Sequence, residues 1–255
     1  MKLTNQTALI FGGSSGIGRA TALRLASEGA TVAVVASGNL AKAQAVVDEI
    51  AAAGGRAKAY TADVTRVDEI RKLVATVEQD LGGPHMMVYS AGVYYPTEIG
   101  ATTEADYDRM ADINLKGAYF AVDAVTPGMK QRGGGRIVLI ASVAGIRGSS
   151  AYPLYAATKA AIVMLCKSLV GKLAPHGIQI NAVAPGNTAT PLNEKDRLGE
   201  NAAQILAAKA AATPSGRVYS PPEEIAAAIH FLINGEIKAV HGATLLIDEG
   251  LYAGF

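Results

Sequence analysis

The run Ala8-Leu9-Ile10-Phe11-Gly12-Gly13-Ser14-Ser15-Gly16-Ile17-Gly18-Arg19 decides the reading of this chain. Four apolar residues lead into a glycine-rich turn, which passes straight into a helical pattern. Strand, glycine turn and helix in that order make a place for a phosphate. Glycines let the backbone turn tightly and approach a ligand, and the helix start presents unpaired N–H groups and its positive dipole end. Two nucleotide templates fit imperfectly. The dinucleotide pattern GxGxxG/A fails where Thr21 stands three residues beyond Gly18. The phosphate-loop pattern GxxxxGK(S/T) nearly fits from Gly13 to Ala20, but Arg19 replaces its lysine and Ala20 its magnesium-binding hydroxyl. An ordinary glycine turn is the third reading of the same residues.

The alternation recurs to the end of the chain. Apolar runs rich in β-branched residues lie at 8–11, 31–36, 57–61, 86–90, 137–141, 178–183 and 244–247. Helical periodicity fills 18–27, 40–53, 67–81, 103–131, 155–173, 202–211 and 222–233. Most of the apolar runs do not alternate with polar residues, so both faces are expected to be covered, as in a parallel sheet sandwiched by helices. Right-handed crossovers leave few other topologies. The sequence therefore predicts an α/β protein of Rossmann type, with one doubly wound, seven-stranded parallel sheet and helices on both faces. No linker or repeat divides residues 1–255, which predicts a single domain. The least regular stretch, about 187–213, follows the sixth strand and is expected to cover a ligand.

Composition narrows the function. Half of the 255 residues are hydrophobic and 18% are charged, which excludes a disordered chain. A formal charge of +1 leaves no global field to recruit nucleic acid or an anionic membrane, so specificity must come from a site. Cys166 is the only cysteine, and His85, His176, His230 and His241 are scattered without ligand spacing, so no metal is expected. The first residues lack the apolar core of a signal peptide, and no apolar stretch approaches the ~18 residues of a membrane span. A soluble cytoplasmic protein is expected.

Gly12-x-x-x-Gly16-x-Gly18 is followed in order by Asp63-Val64, Asn114-Leu-Lys-Gly117, the run 135–142 ending in Ser142, Tyr155-x-x-x-Lys159, and Asn181-Ala-Val-Ala-Pro185-Gly186. Ser142 stands thirteen residues before Tyr155. Over essentially the whole chain this resembles the short-chain dehydrogenase/reductase family. Within the family it is similar to the 3-oxoacyl-(acyl-carrier-protein) reductases and the small alcohol and sugar dehydrogenases. The resemblance implies an NAD(P)(H)-dependent oxidoreductase acting on CH–OH groups, which interconverts a ketone or aldehyde with an alcohol. It implies cofactor contacts from Gly12, Ser14, Ser15, Gly16, Ile17, Gly18, Ser37, Asp63, Val64, Ala91, Gly92, Tyr155, Lys159, Pro185, Gly186, Thr188 and Thr190.

The chemistry can be argued from the side chains. Tyr155 and Lys159 are four apart, hence on one helix face, where an ammonium beside a phenol favours the phenolate. That would bring the tyrosine from its ordinary ~10 towards neutral pH. Tyr155 is then the general acid of carbonyl reduction and the base of the reverse reaction. Ser142 would hydrogen-bond the carbonyl oxygen as charge builds on it, and the nicotinamide would deliver the hydride. The resemblance alone implies that Lys159 also holds the nicotinamide ribose and that Asn114 supports a water linking Lys159 to solvent. Ser142, Val143, Ala144, Tyr152, Asn187 and Leu192 are expected to line the substrate pocket, with Tyr94 and Tyr95 as further candidates. Three residues depart from the family pattern. Phe11 stands where a threonine is common, and Tyr89-Ser90 replaces Asn-Asn ahead of Ala91-Gly92, which is expected to put an aromatic ring beside the adenosine half of the site.

A carboxylate at the end of the second strand would select NAD. Ala36-Ser37-Gly38-Asn39 has none, and Arg19 and Lys42 are candidate helpers for a 2′-phosphate, so NADP(H) is expected over NAD(H). Residues 160–166 are all apolar and cover the full circumference of a helix. One side can pack on the sheet, and the other is expected to meet a partner subunit in a homodimer or homotetramer, as the family forms. A catalytically idle dinucleotide-binding regulator on the same fold is the alternative reading. The intact Asn114, Ser142, Tyr155 and Lys159 argue against it.

Overall fold

A computed structural model describes residues 3–253. Its strands are β1 (Thr7–Phe11), β2 (Thr31–Ala36), β3 (Arg56–Thr61), β4 (Met86–Tyr89), β5 (Gly135–Ile140), β6 (Ile178–Pro185) and β7 (Thr244–Ile247). They form one parallel sheet in the order β3-β2-β1-β4-β5-β6-β7. The strand order reverses between β1 and β4, which opens a crevice at the carboxyl ends of the strands. The helices are α1 (Gly16–Ser27), α2 (Leu40–Ala52), α3 (Val67–Leu81), α4 (Glu104–Ala111), α5 (Gly117–Gln131), α6 (Ala144–Arg147), α7 (Pro153–Leu173), α8 (Glu194–Leu198), α9 (Ala202–Ala211) and α10 (Pro222–Ile233).

Successive residues of a strand point to opposite faces, and here both faces are filled. Ala8 and Ile10 of β1 pack with Leu25 of α1, Ile50 of α2 and Ile229 of α10. Leu9 and Phe11 belong to the other layer, with Val77 of α3, Val125 of α5 and Ile162 and Cys166 of α7. This double burial is why the strand runs are apolar without alternation. β3 differs because it is the sheet's edge: Arg56, Lys58 and Thr61 stay exposed.

Two expectations need correction. The helix expected over 103–131 is interrupted by a π-helical turn, Asp112–Lys116, in which the Gly117 N–H bonds to the Asp112 carbonyl five residues back. Regular α-helix resumes on both sides of this single wide turn, so the run as a whole still reads as helical. Residues 153–176 form a helix that is, by length and composition, apolar enough to cross a membrane, contrary to the expectation that no stretch is. In this fold that helix buries Ile162, Cys166 and Leu173 in the core.

Candidate active site

The carboxyl ends of β1 to β6 open on a cleft of about 770 Å³. Its floor is the turn after β1. Gly12 has φ +72°, and a Cβ there would lie 2.7 Å from the Ala91 nitrogen, so the turn meets the segment after β4 as bare backbone. Ser15, at the N-cap of α1, makes no side-chain capping bond, and the first turn carries no acidic residue. The leading N–H groups of α1 thus remain for an anion. Across the cleft, Thr188 Oγ1 is buried without a hydrogen-bond partner among the described residues, a hydroxyl that a bound molecule would satisfy. Bare glycine turn, uncapped helix start and orphaned hydroxyl together fit a dinucleotide.

Ser14, Ser15, Gly16, Ile17, Ser37, Asp63, Val64, Ala91, Gly92, Pro185, Gly186, Thr188 and Thr190 line this cleft with Gly12, Tyr155 and Lys159. Gly18 does not. A Cβ there would fall 2.1 Å from the Gly12 carbonyl oxygen, so this glycine lets α1 start against the turn rather than approach a ligand. Arg19 is turned away as well. Its guanidinium bonds both carboxylate oxygens of Glu49 on α2, and neither Arg19 nor Lys42 reaches the cleft. Ser37 is left as the polar side chain at the end of β2.

Ser142 follows β5, and Pro153 at the start of α7 sets the helix that carries Tyr155 and Lys159 up to it. Ser142 Oγ accepts the Ala144 N–H at 3.2 Å and shares a hydrogen bond with the Tyr155 hydroxyl. Lys159 is 5% exposed; its Nζ donates to the Ile140 carbonyl at 2.8 Å and lies 5.7 Å from the centre of the Tyr155 ring. Burial pushes the Lys159 ammonium down to about 8. Burial also pushes the Tyr155 phenol above its ordinary value, while the Ser142 hydrogen bond works the other way. The expectation that Lys159 draws this phenol towards neutrality is therefore corrected for the protein alone. Desolvation of the phenolate is the largest influence on it, and the Lys159 ammonium is committed to Ile140.

Asn114 lies in the π-turn, 1% exposed, behind the cleft wall. Its Oδ1 accepts the Val93 N–H at 2.9 Å, and its Nδ2 donates to the Val93 carbonyl at 3.0 Å and to Thr158 Oγ1 at 3.2 Å. Asn114 thereby ties the segment after β4 to α7 at the level of Tyr155. Gly92 is the gap between the two polar groups: a Cβ there would be 3.4 Å from Asn114 Oδ1 and 3.7 Å from Lys159 Nζ.

Val143, Ala144, Tyr152, Asn187 and Leu192 line the mouth of the cleft together with Ser142. Tyr94 joins them, stacked on Tyr152 at 4.3 Å between ring centres and edge-on to Tyr155 at 5.2 Å. Tyr95 does not, because its hydroxyl donates to the Asp106 carbonyl. Sequence reasoning missed Arg109, Ser149 and Lys209, which also line the cleft. Lys209 comes from α9 and is held by Asp196 and Tyr219; no spacing in the sequence links it to the other site residues. The Tyr89 ring is not beside the cleft as expected. It is 3% exposed and packs on Phe11, because its strand position faces the α3–α5 layer. Among the described residues no group of three or more His, Cys, Asp or Glu could hold a metal ion.

Residues 6–201 match the short chain dehydrogenase family. The chain is 36% identical over 253 residues to the 3-oxoacyl-(acyl-carrier-protein) reductase of Thermotoga maritima, covering 98% of this chain and 99% of that one. Among solved structures, a variant of the actinorhodin polyketide ketoreductase with NADPH superposes with a TM-score of 0.92 at 32% identity, over 99% of this chain and 98% of that one. A gluconate 5-dehydrogenase from Burkholderia cenocepacia, in complex with NADP and tartrate, superposes with a TM-score of 0.92 at 31% identity, over 99% and 97%. The sheet order, the glycine turn and these matches along the chain make it a member of the short-chain dehydrogenase/reductase family of oxidoreductases.

Proposed function

We propose that the cleft binds NADP(H) in preference to NAD(H), and that the protein interconverts a ketone or aldehyde with an alcohol using Tyr155 as general acid and base. The observation that carries this reading is the meeting of Ser142, from the end of β5, with Tyr155 and Lys159, from α7, beside the glycine turn. Gly12, Gly16 and the start of α1 would hold the pyrophosphate, Asp63 and Val64 the adenine, Ser37 a 2′-phosphate, and Thr188 and Lys159 the nicotinamide half. Bound there, the nicotinamide supplies the hydride in reduction and takes it in oxidation. Tyr155 gives its proton to the carbonyl oxygen, and the Ser142 hydroxyl donates to the same oxygen as charge builds. Lys159, with its ammonium near pH 8, returns the proton to Tyr155, and Asn114 Oδ1 across Gly92 gives a relaying water its second anchor.

The missing carboxylate at the end of β2 supports NADP(H), and both solved relatives named above carry NADP or NADPH. The pocket mouth, with the Tyr94–Tyr152 stack, Val143, Ala144 and Leu192, suits a carbonyl compound with an apolar body, 3-oxoacyl thioesters among them. Residues Thr190 to Asn193, Lys209 and Ala212 reach the cleft from the segment 187–213, which we read as its cover over one domain. Met164 of α7, Tyr119 of α5 and Tyr107 of α4 are each about half exposed, and only 28% of the apolar window of α7 is buried. We assign that face to a second copy of the chain in a homodimer or homotetramer.

The test is NADPH oxidation against a panel of ketones, aldehydes and 3-oxoacyl thioesters. Turnover is expected with at least one class, and Tyr155→Phe is expected to abolish it while keeping NADPH binding. A Tyr155→Phe protein with wild-type turnover would refute the mechanism, and NADPH binding without turnover of any compound would favour the idle regulator.

A further inference from the structure

Two of the residues that depart from the family pattern, Phe11 and Tyr89, are neighbours. They are paired in register across β1 and β4, and their rings meet at 5.6 Å between centres, tilted by 39°. Phe11 braces the Tyr89 ring in the layer under α3 and α5, and the phenol reaches beyond the sheet to the π-turn. There the Tyr89 hydroxyl donates to the Ile113 carbonyl at 2.6 Å. A π-turn widens the helix by one residue and so disturbs the ladder that would otherwise serve such a carbonyl. The Gly117 N–H, one candidate donor, is already committed to Asp112. Gly117 also forms the notch that admits the phenol: a Cβ there would lie 2.2 Å from Tyr89 Oη and 2.9 Å from the Val64 carbonyl oxygen. Burial raises the Tyr89 phenol well above its ordinary value, so it stays protonated and remains a donor.

The residue after Ile113 is Asn114, whose amide clamps both backbone groups of Val93 and reaches Thr158 on α7. We infer that Tyr89 is a positioning residue for the proton-transfer side of the site, holding the π-turn through Ile113 so that Asn114 stays between the segment after β4 and α7. The catalytic part of this inference rests on the proposed role of Tyr155 and Lys159; the structural part does not. Phe11, Tyr89 and Gly117 form one unit in this chain, in which an aromatic pair occupies the space that a smaller pair of side chains would leave.

Tyr89→Phe removes the hydroxyl and keeps the ring, so Phe11 retains its partner. Two readouts follow. Amide hydrogen exchange is expected to speed up at least tenfold at Val93 and Gly117 while amides in β1 and α10 stay within twofold. The kcat of carbonyl reduction is expected to fall about tenfold, with KM for NADPH unchanged, and adding Tyr89→Phe to Asn114→Ala is expected to cost nothing more. Gly117→Ala, which crowds the phenol out of its notch, is expected to give the same pattern. Unchanged exchange at Val93 and Gly117 in both variants overturns the inference. So does a loss in kcat that multiplies with that of Asn114→Ala, which would mean that the two residues act separately. A wild-type protein that turned over no carbonyl compound would defeat the proposed function but leave the exchange result to decide the positioning role.

Discussion

Lys159→Met separates what this lysine does for chemistry from what it costs the fold. In the folded protein its ammonium is held near 8, against its ordinary 10.5, because burial strips its water. The difference of roughly 2.5 units corresponds to about 3 kcal/mol of stability given up at pH 7 to keep a charged lysine in the cleft wall. Between pH 8 and 10.5 the unfolded chain binds the proton and the folded one does not, so this cost fades as pH rises, to about 1 kcal/mol at pH 9.5. Methionine has similar length and no charge, but it abandons the 2.8 Å hydrogen bond from a charged donor to Ile140, a loss of about 1.5–3 kcal/mol. Lys159→Met is therefore expected to lose turnover and yet be up to about 1.5 kcal/mol more stable than wild type at pH 7. Its advantage should shrink or reverse by pH 9.5. Urea unfolding of both proteins at the two pH values measures this directly. A variant less stable than wild type at pH 7, or an advantage independent of pH, would show that the buried ammonium is not under strain.

Ser142→Ala removes the hydroxyl proposed to face the developing oxyanion and is expected to lower kcat about a hundredfold while NADPH affinity holds; a change confined to KM would place Ser142 in ground-state binding only. Gly18→Ala forces a Cβ onto the Gly12 carbonyl oxygen and should cost at least about 2 kcal/mol in urea unfolding, with weaker dinucleotide binding; a neutral result would mean that the turn relaxes freely. Ser37→Asp supplies the carboxylate absent from the end of β2 and is expected to move the NADPH/NADH ratio of kcat/KM at least tenfold towards NADH, and an unmoved ratio would put cofactor choice elsewhere. Met164→Glu places a charge on the exposed face of α7 and is expected to reduce the sedimenting mass to that of a smaller assembly. A wild type that is already monomeric at every concentration would remove the subunit-contact reading.

Much of the architecture was legible because its signals are local. The bounds of β2 and β7 and of α3, α9 and α10 follow their apolar runs and periods to the residue. The Tyr155–Lys159 spacing and the glycine turn are likewise short-range patterns, read without knowing what lies across from them. The π-turn is not legible because it is one turn between two stretches of ordinary helical period, although Asn114 inside it is a residue the sequence singles out. Arg19 was misplaced because an arginine beside a phosphate turn has no local mark saying that Glu49, thirty residues on, will take it.

The sequence by itself therefore determined the raw material of the strand order and the residues that the proposed function uses for proton transfer. Tertiary structure alone decided how those residues are poised. Tyr89 turns from the cleft to the π-turn because β4 pairs with β1 in the register that sets it beside Phe11. Lys159 loses part of its hold on a proton because it is buried, with α6 packed against it at Gly145, and Tyr94 stacks on Tyr152 at the mouth. Periodicity and spacing are properties of neighbours along the chain, whereas desolvation and contact belong to segments that meet only after folding.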